Sequence, residues 1–132
     1  EYATVAWREK MRNELARQFT NLSSLYEELS IATEGRAKIY VLGYPIFING
    51  NPYAKCTNVF NLDNTEREFI NNSIIYLNNI IEQAAKKAGV KYIDVENAFG
   101  NHRLCDTGTQ HVTAVTNVFL SLIHISEPTR PY

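Results

Sequence analysis

Apolar residues recur at three- and four-residue steps along the first part of the chain, at Trp7, Met11, Leu15, Phe19, Leu22, Leu25 and Leu29. That period puts them on one face of an amphipathic helix over residues 3–31, with Arg8, Glu9, Arg12, Arg17, Glu27 and Glu28 mainly on the other. A stripe of this kind faces a core. The Thr33-Glu34-Gly35-Arg36 stretch ends the helix, and Gly35 suits a left-handed position. The period then changes. Residues 37–43, Ala-Lys-Ile-Tyr-Val-Leu-Gly, are rich in β-branched and aromatic side chains. Their near-continuous hydrophobicity predicts a strand covered on both faces, as in a parallel sheet. Pro45 cannot continue the ladder, and residues 44–63 read as a long loop with a turn at Asn49-Gly50-Asn51-Pro52.

The helical period resumes at Ile70, Ile74, Leu77, Ile81, Ala84 and Ala88, a stripe widened by Phe69 and Ile80. Thr65 and Glu68 have the spacing of a capping box at its start, and Gly89 supplies the C-terminal cap. A second strand follows over residues 90–95, then an irregular segment over 96–113 and a short apolar run over 114–119. Helix, strand, helix, strand is the order of an α/β fold. It contains one βαβ unit, with parallel strands and a right-handed crossover, preceded by a long helix. Two parallel strands do not make a stable sheet with both faces covered, so further strands are expected from a larger parent domain.

Composition changes this picture little. The 132 residues are 45% hydrophobic and 20% charged, ordinary for one modest globular domain. A net charge of -1 provides no basic face for nucleic acid. Every apolar run is broken too early for a membrane span. The first residues lack both an initiating Met and a signal-peptide pattern, so the chain is expected to be a gene fragment, open at both ends. Cys56 and Cys105 fall in loop-like sequence, too far apart for a Cys-x-x-Cys motif and without a histidine pair at zinc spacing. On these grounds they are free thiols or one disulfide.

Ligands of open parallel sheets bind at strand ends and the loops beyond. Here those places are Gly43-Tyr44-Pro45, and the segment from Asp94-Val95 through Phe99, His102 and Cys105. Gly43-Tyr44-Pro45 is no glycine-rich phosphate cradle, which leaves a nucleotide-binding fold with little support. The order of these elements resembles the C-terminal half of SGNH hydrolases, the GDSL esterase and lipase family, in its secreted bacterial branch. The resemblance rests on Leu42-Gly43-Tyr44-Pro45 with Cys56 in the next loop, and on Glu66-Arg67 opening a long Asn-rich helix with Ala84-Ala85 and Gly89. It continues with Tyr92-Ile93-Asp94-Val95 leading into Phe99, His102 and Cys105, and covers residues 37–106.

That resemblance implies a partial three-layer α/β/α, flavodoxin-like domain over residues 1–119, and a secreted parent acting on small-molecule or lipid esters without metal or cofactor. It implies a Cys56–Cys105 disulfide, which would close a loop of about 50 residues and stabilise by around 4 kcal/mol on the chain-entropy model. Tyr44, Pro45 and His102 would lie at the active-site edge. The family acts through a serine in a Gly-Asp-Ser block, an oxyanion hole, and an Asp-x-x-His or Ser-x-x-His block. No Gly-Asp-Ser occurs here, so the chain is expected to be an inactive part with no catalytic residue of its own. Asn49-Gly50-Asn51 lies after the wrong strand for the oxyanion block and reads as a turn. His102 reads as a hydrogen-bonded residue ordering its loop, and His111 as solvent-exposed.

Ser121 and His124 do have the Ser-x-x-His spacing. Yet residues 120–132 resemble the conceptual translation of a sequencing adapter, as found at the ends of metagenomic gene predictions. His124 is therefore read as a decoy, and 120–132 as a non-native tail. A non-catalytic α/β binding or structural domain is the competing expectation, and an upstream Gly-Asp-Ser block would discriminate against it.

Overall fold

The computed structural model describes residues 4–56 and 62–112. Residues 114–132, with the apolar run, His124 and the whole tail, lie outside them. The elements run α1 (Val5–Ala32), β1 (Tyr40–Leu42), α2 (Asn64–Ala88) and β2 (Lys91–Ile93). The two strands are parallel neighbours, with Tyr40 opposite Lys91, Val41 opposite Tyr92 and Leu42 opposite Ile93. The fold is α/β with a short parallel sheet, as the alternation of periods predicts.

Helix α1 starts at Thr4, whose hydroxyl accepts from the Trp7 N–H at 3.4 Å. It stops because Glu34 (φ 50) and Gly35 (φ 69) both turn left-handed. Glycine takes that conformation freely, while a residue with a Cβ such as Glu34 gives up roughly 1 kcal/mol. The N-terminus of α2 corrects the expected capping box at Thr65 and Glu68. Asp63 is the N-cap: its Oδ1 accepts from the Glu66 N–H at 2.8 Å, and Glu66 Oε2 accepts from the Asp63 N–H at 3.0 Å. A carboxylate two residues earlier is a stronger acceptor than a hydroxyl, and the helix begins where it stands. Gly89 closes α2 at φ 71, as expected.

Among the described residues, two clusters of buried side chains stand out, with Ile80 and Ile81 of α2 buried besides. In the first, Tyr26 of α1 meets Ala84 and Ala85 of α2, with Phe19, Leu22, Val41, Val90 and Tyr92 around them. The small alanines leave room for the Tyr26 ring. Ser23, 1% exposed, completes the contact face and turns its hydroxyl back to the Phe19 carbonyl at 2.7 Å. The buried face of α1 is therefore Phe19, Leu22, Ser23 and Tyr26, whereas Leu25 and Leu29 of the expected stripe are exposed. The strands also differ from expectation. Val41 packs with Tyr92 toward the helices, but Tyr40 and Leu42 on the opposite face are 51% and 58% exposed. One face of the sheet is covered rather than both. The second cluster, Ile48, Leu104 and Cys105 with Phe47, Cys56, Leu62, Ile70 and Val112, lies beyond the strand ends.

Replacing Asp63 by Ala is expected to lower stability by about 1 kcal/mol, while Thr65→Ala changes it by no more than about 0.5 kcal/mol. Urea midpoints of the two variants separate the observed cap from the expected one.

Candidate functional site

β1 gives way at Gly43, whose N–H still reaches the Ile93 carbonyl at 3.2 Å. A Cβ at Gly43 would collide with the Tyr92 hydroxyl and come within 2.9 Å of Asn78 Oδ1. The missing side chain lets α2 approach the backbone. Asn78, 4% exposed, accepts from the Tyr44 N–H at 2.7 Å and donates through Nδ2 to the Tyr44 carbonyl at 2.8 Å. A single amide thus satisfies both polar groups of the first residue past the strand. Nδ2 also lies 3.4 Å from Glu96 Oε2, which ties in the segment after β2. The ring of Tyr44 points outward and is 56% exposed, and Pro45 beside it is half-buried. Burial, then the charges of Asp94, Glu82 and Glu96, raise the Tyr92 phenol above 10.0, so it stays a neutral hydroxyl against Gly43.

The loop after β1 is held along its length by the same face of α2. Arg67, 2% exposed, donates to the carbonyls of Asn49 at 2.8 Å, Asn51 at 3.3 Å and Ala54 at 3.5 Å, and pairs with the Asn64 side chain. Asn71 Nδ2 donates to the Ile48 carbonyl at 3.1 Å. Arg67, Asn71 and Asn78 stand at i, i+4 and i+11, a row of polar side chains on the face that buries Ile81 and Ala85.

The two strand-end loops are sewn to each other as well. The Ile46 N–H reaches the Glu96 carbonyl at 2.9 Å, and Ile48 and Leu104 form a parallel bridge. Leu104 N–H donates to Phe47 O and Asn49 N–H to Leu104 O, each at 2.8 Å. Cys56 and Cys105 form a disulfide with Cα atoms 4.8 Å apart. Cys105 sits at φ 66, a left-handed turn that its neighbours hold in place. Asp106 takes the Arg103 backbone N–H at 2.8 Å and its guanidinium at 3.0 and 3.2 Å. Burial pushes the Asp106 carboxyl up. The hydrogen bonds and charge of Arg103, with a hydrogen bond from the Asn49 side chain, outweigh it and hold the group below 3.8. A depression of about 760 Å³ beside this seam is lined by Tyr53, Lys55, Asn101, Arg103 and Asp106 among others.

His102 lies on the second loop and is exposed. Its Nδ1 is 2.7 Å from the Thr109 carbonyl, so that nitrogen carries the proton in this contact. His111 is exposed, stacks on His102 at 4.2 Å between ring centres, and donates its N–H to the His102 carbonyl at 2.9 Å. The two histidines thus close one loop around the Arg103–Asp106 pair. His124 lies outside the described residues. The structure brings Cys56 to Cys105 and sets Tyr44 and Pro45 at the end of β1. Residue-type reasoning passed over Asn78, Arg67, Asn71 and Asp106. A signal existed for the first three, which are polar residues in register with the apolar stripe of α2. Among the described residues, no cluster of three or more His, Cys, Asp or Glu is arranged to hold a metal ion.

The fold has a counterpart among solved structures. No family model matches the chain, and no curated protein matches it. By fold the chain is similar to an extracellular lipase from Streptomyces rimosus, with a TM-score of 0.72 and 26% sequence identity. The match covers 88% of this chain and 47% of the lipase, so the chain spans about half the length of the enzyme it resembles.

Two measurements test the seam. Asn78→Ala strands the Tyr44 N–H and carbonyl and is expected to cost about 3 kcal/mol, with fast amide exchange at Tyr44 beforehand protected. For Asp106 the folded value lies below the ordinary one, so its contribution is complete above about pH 4 and fades as pH falls through the folded value. The gap in urea midpoint between the parent chain and Asp106→Asn should therefore be constant near neutrality and close in acid.

Proposed function

We propose that this chain is part of a secreted serine ester hydrolase of the SGNH type, whose strand-end seam forms one edge of the active site. The single observation that carries this reading is the 26% identity and 0.72 TM-score to an extracellular lipase over 88% of the chain. The disulfide joining the two strand-end loops supports it, because such bonds persist in oxidising compartments. No helix among the described residues is long and apolar enough to cross a membrane.

In this reading the parent cleaves a carboxylic or lipid ester through an acyl-serine intermediate. An imidazole takes the proton of the attacking hydroxyl, and fixed donors hold the oxyanion. This chain contributes rigidity instead of the reacting groups. Tyr44 and Pro45, clamped by Asn78, and His102, held by Thr109, form part of the wall beside which the serine and its base work. His102 orders its loop through Nδ1 and does not serve as the base. The chain has no Gly-Asp-Ser block, so in this reading the nucleophile belongs to another part of the parent, and residues 120–132 are read as an adapter-derived tail.

The test has two arms. The purified chain is assayed against short- and long-chain p-nitrophenyl esters, and the sequence flanking its gene is read. No turnover by the chain, with a Gly-Asp-Ser block encoded upstream whose Ser→Ala variant kills the extended protein, is the expected result. Serine-dependent esterase activity from this chain by itself, or an upstream region without such a block, overturns the proposal.

A further inference from the structure

Asn49 is followed by Gly50, and no other asparagine of the chain precedes a glycine. A glycine there leaves the backbone nitrogen sterically free to approach the preceding side chain. The fold adds two hydrogen bonds and a nearby carboxylate to that pair. Asn49 Oδ1 accepts from the Asn51 N–H at 2.8 Å, so a fixed donor stands where negative charge develops if Cγ is attacked. The Arg67 guanidinium donates to the Asn49 carbonyl at 2.8 Å. That carbonyl belongs to the same peptide unit as the Gly50 N–H, and a cation on the oxygen makes the N–H a stronger acid. The Asn49 side chain is also among the groups that hold the Asp106 carboxyl low, which sets that carboxylate near Nδ2, the amide's donor nitrogen. An anion beside that nitrogen favours its protonated, departing form.

We propose that Asn49 is a self-modifying site at which the folded protein promotes its own deamidation. The Gly50 backbone nitrogen bonds to Asn49 Cγ, and the Cγ–Nδ2 bond breaks. The proton lost from the Gly50 N–H ends on the leaving nitrogen, which departs as ammonia. Solvent water then opens the cyclic imide at either carbonyl, giving aspartate or isoaspartate, with no oxidant or reductant involved. The product puts a second carboxylate near Asp106 in place of an amide that favours its ionised form. An isoaspartate would in addition lengthen the backbone between Ile48 and Gly50, where Asn49 N–H meets the Leu104 carbonyl. The seam between the strand-end loops therefore carries a timer whose product loosens it. None of this depends on the hydrolase reading.

The experiment uses the whole oxidised chain in mildly alkaline buffer, sampled over days by peptide mass spectrometry and isoaspartate detection. A parallel sample is held unfolded in denaturant at the same pH. The expected result is conversion at Asn49 ahead of every other asparagine, on the order of tenfold faster in the folded chain than in the unfolded one, as one aligned donor at a developing charge warrants. Equal or slower conversion in the folded chain means that the fold restrains or ignores the pair, and overturns the proposal. Faster folded-state conversion at a different asparagine also overturns it.

Discussion

A long loop after a parallel strand must find partners for its backbone polar groups, and here α2 supplies them from one row of side chains. Arg67 gathers the carbonyls of Asn49, Asn51 and Ala54, Asn71 takes that of Ile48, and Asn78 takes both polar groups of Tyr44. Burying an arginine costs several kcal/mol unless its donors are used, and carbonyl oxygens of a tight loop are the cheapest partners at hand. Everything else at the strand ends depends on this row. Gly43 is small so that Asn78 can reach, and Ile48 is fully buried because the loop is drawn down onto the helix.

The same row explains why the loop can meet its neighbour across the sheet edge. With its inner carbonyls satisfied by α2, the loop has its outer edge free to pair with residues beyond β2. The Ile48–Leu104 bridge, the Cys56–Cys105 disulfide and the Arg103–Asp106 pair then act on segments already positioned. A disulfide between loops that wander would mostly restrict the unfolded chain. Between loops already held, it adds to a rigid seam. In the proposed hydrolase such rigidity would serve the wall of the site, since catalytic donors work only where geometry is fixed before reaction.

The elements themselves were legible from residue periods. Two long helices, two parallel strands, Gly35 and Gly89 as left-handed positions, and the order of the βαβ unit all follow from spacing and turn chemistry. Facing was less legible. On α1, Leu25 and Leu29 continue the apolar stripe, yet Ser23 and Tyr26 are the buried residues, Tyr26 against Ala84 and Ala85. The choice was made by the shape of the opposing surface, because small residues on α2 admit a ring and a close approach that a run of leucines would not fill. Asp63 displaced Thr65 as the cap for a local reason, the better acceptor two residues earlier.

At the candidate site the division is sharper. Residue types placed Tyr44, Pro45, Cys56, His102 and Cys105 in the strand-end loops, since those positions follow from where each strand stops. They did not reveal that Asn78 clamps Tyr44 or that Arg67 organises the turn 18 residues before it. A polar residue on a helix stripe signals burial with a partner but not which partner. The sequence by itself determined the elements, their order and the chemistry available at their ends, because these depend on neighbours within a few residues. Only the tertiary structure decided which polar groups meet, because a buried donor can be satisfied only by an acceptor that the packing brings within about 3 Å.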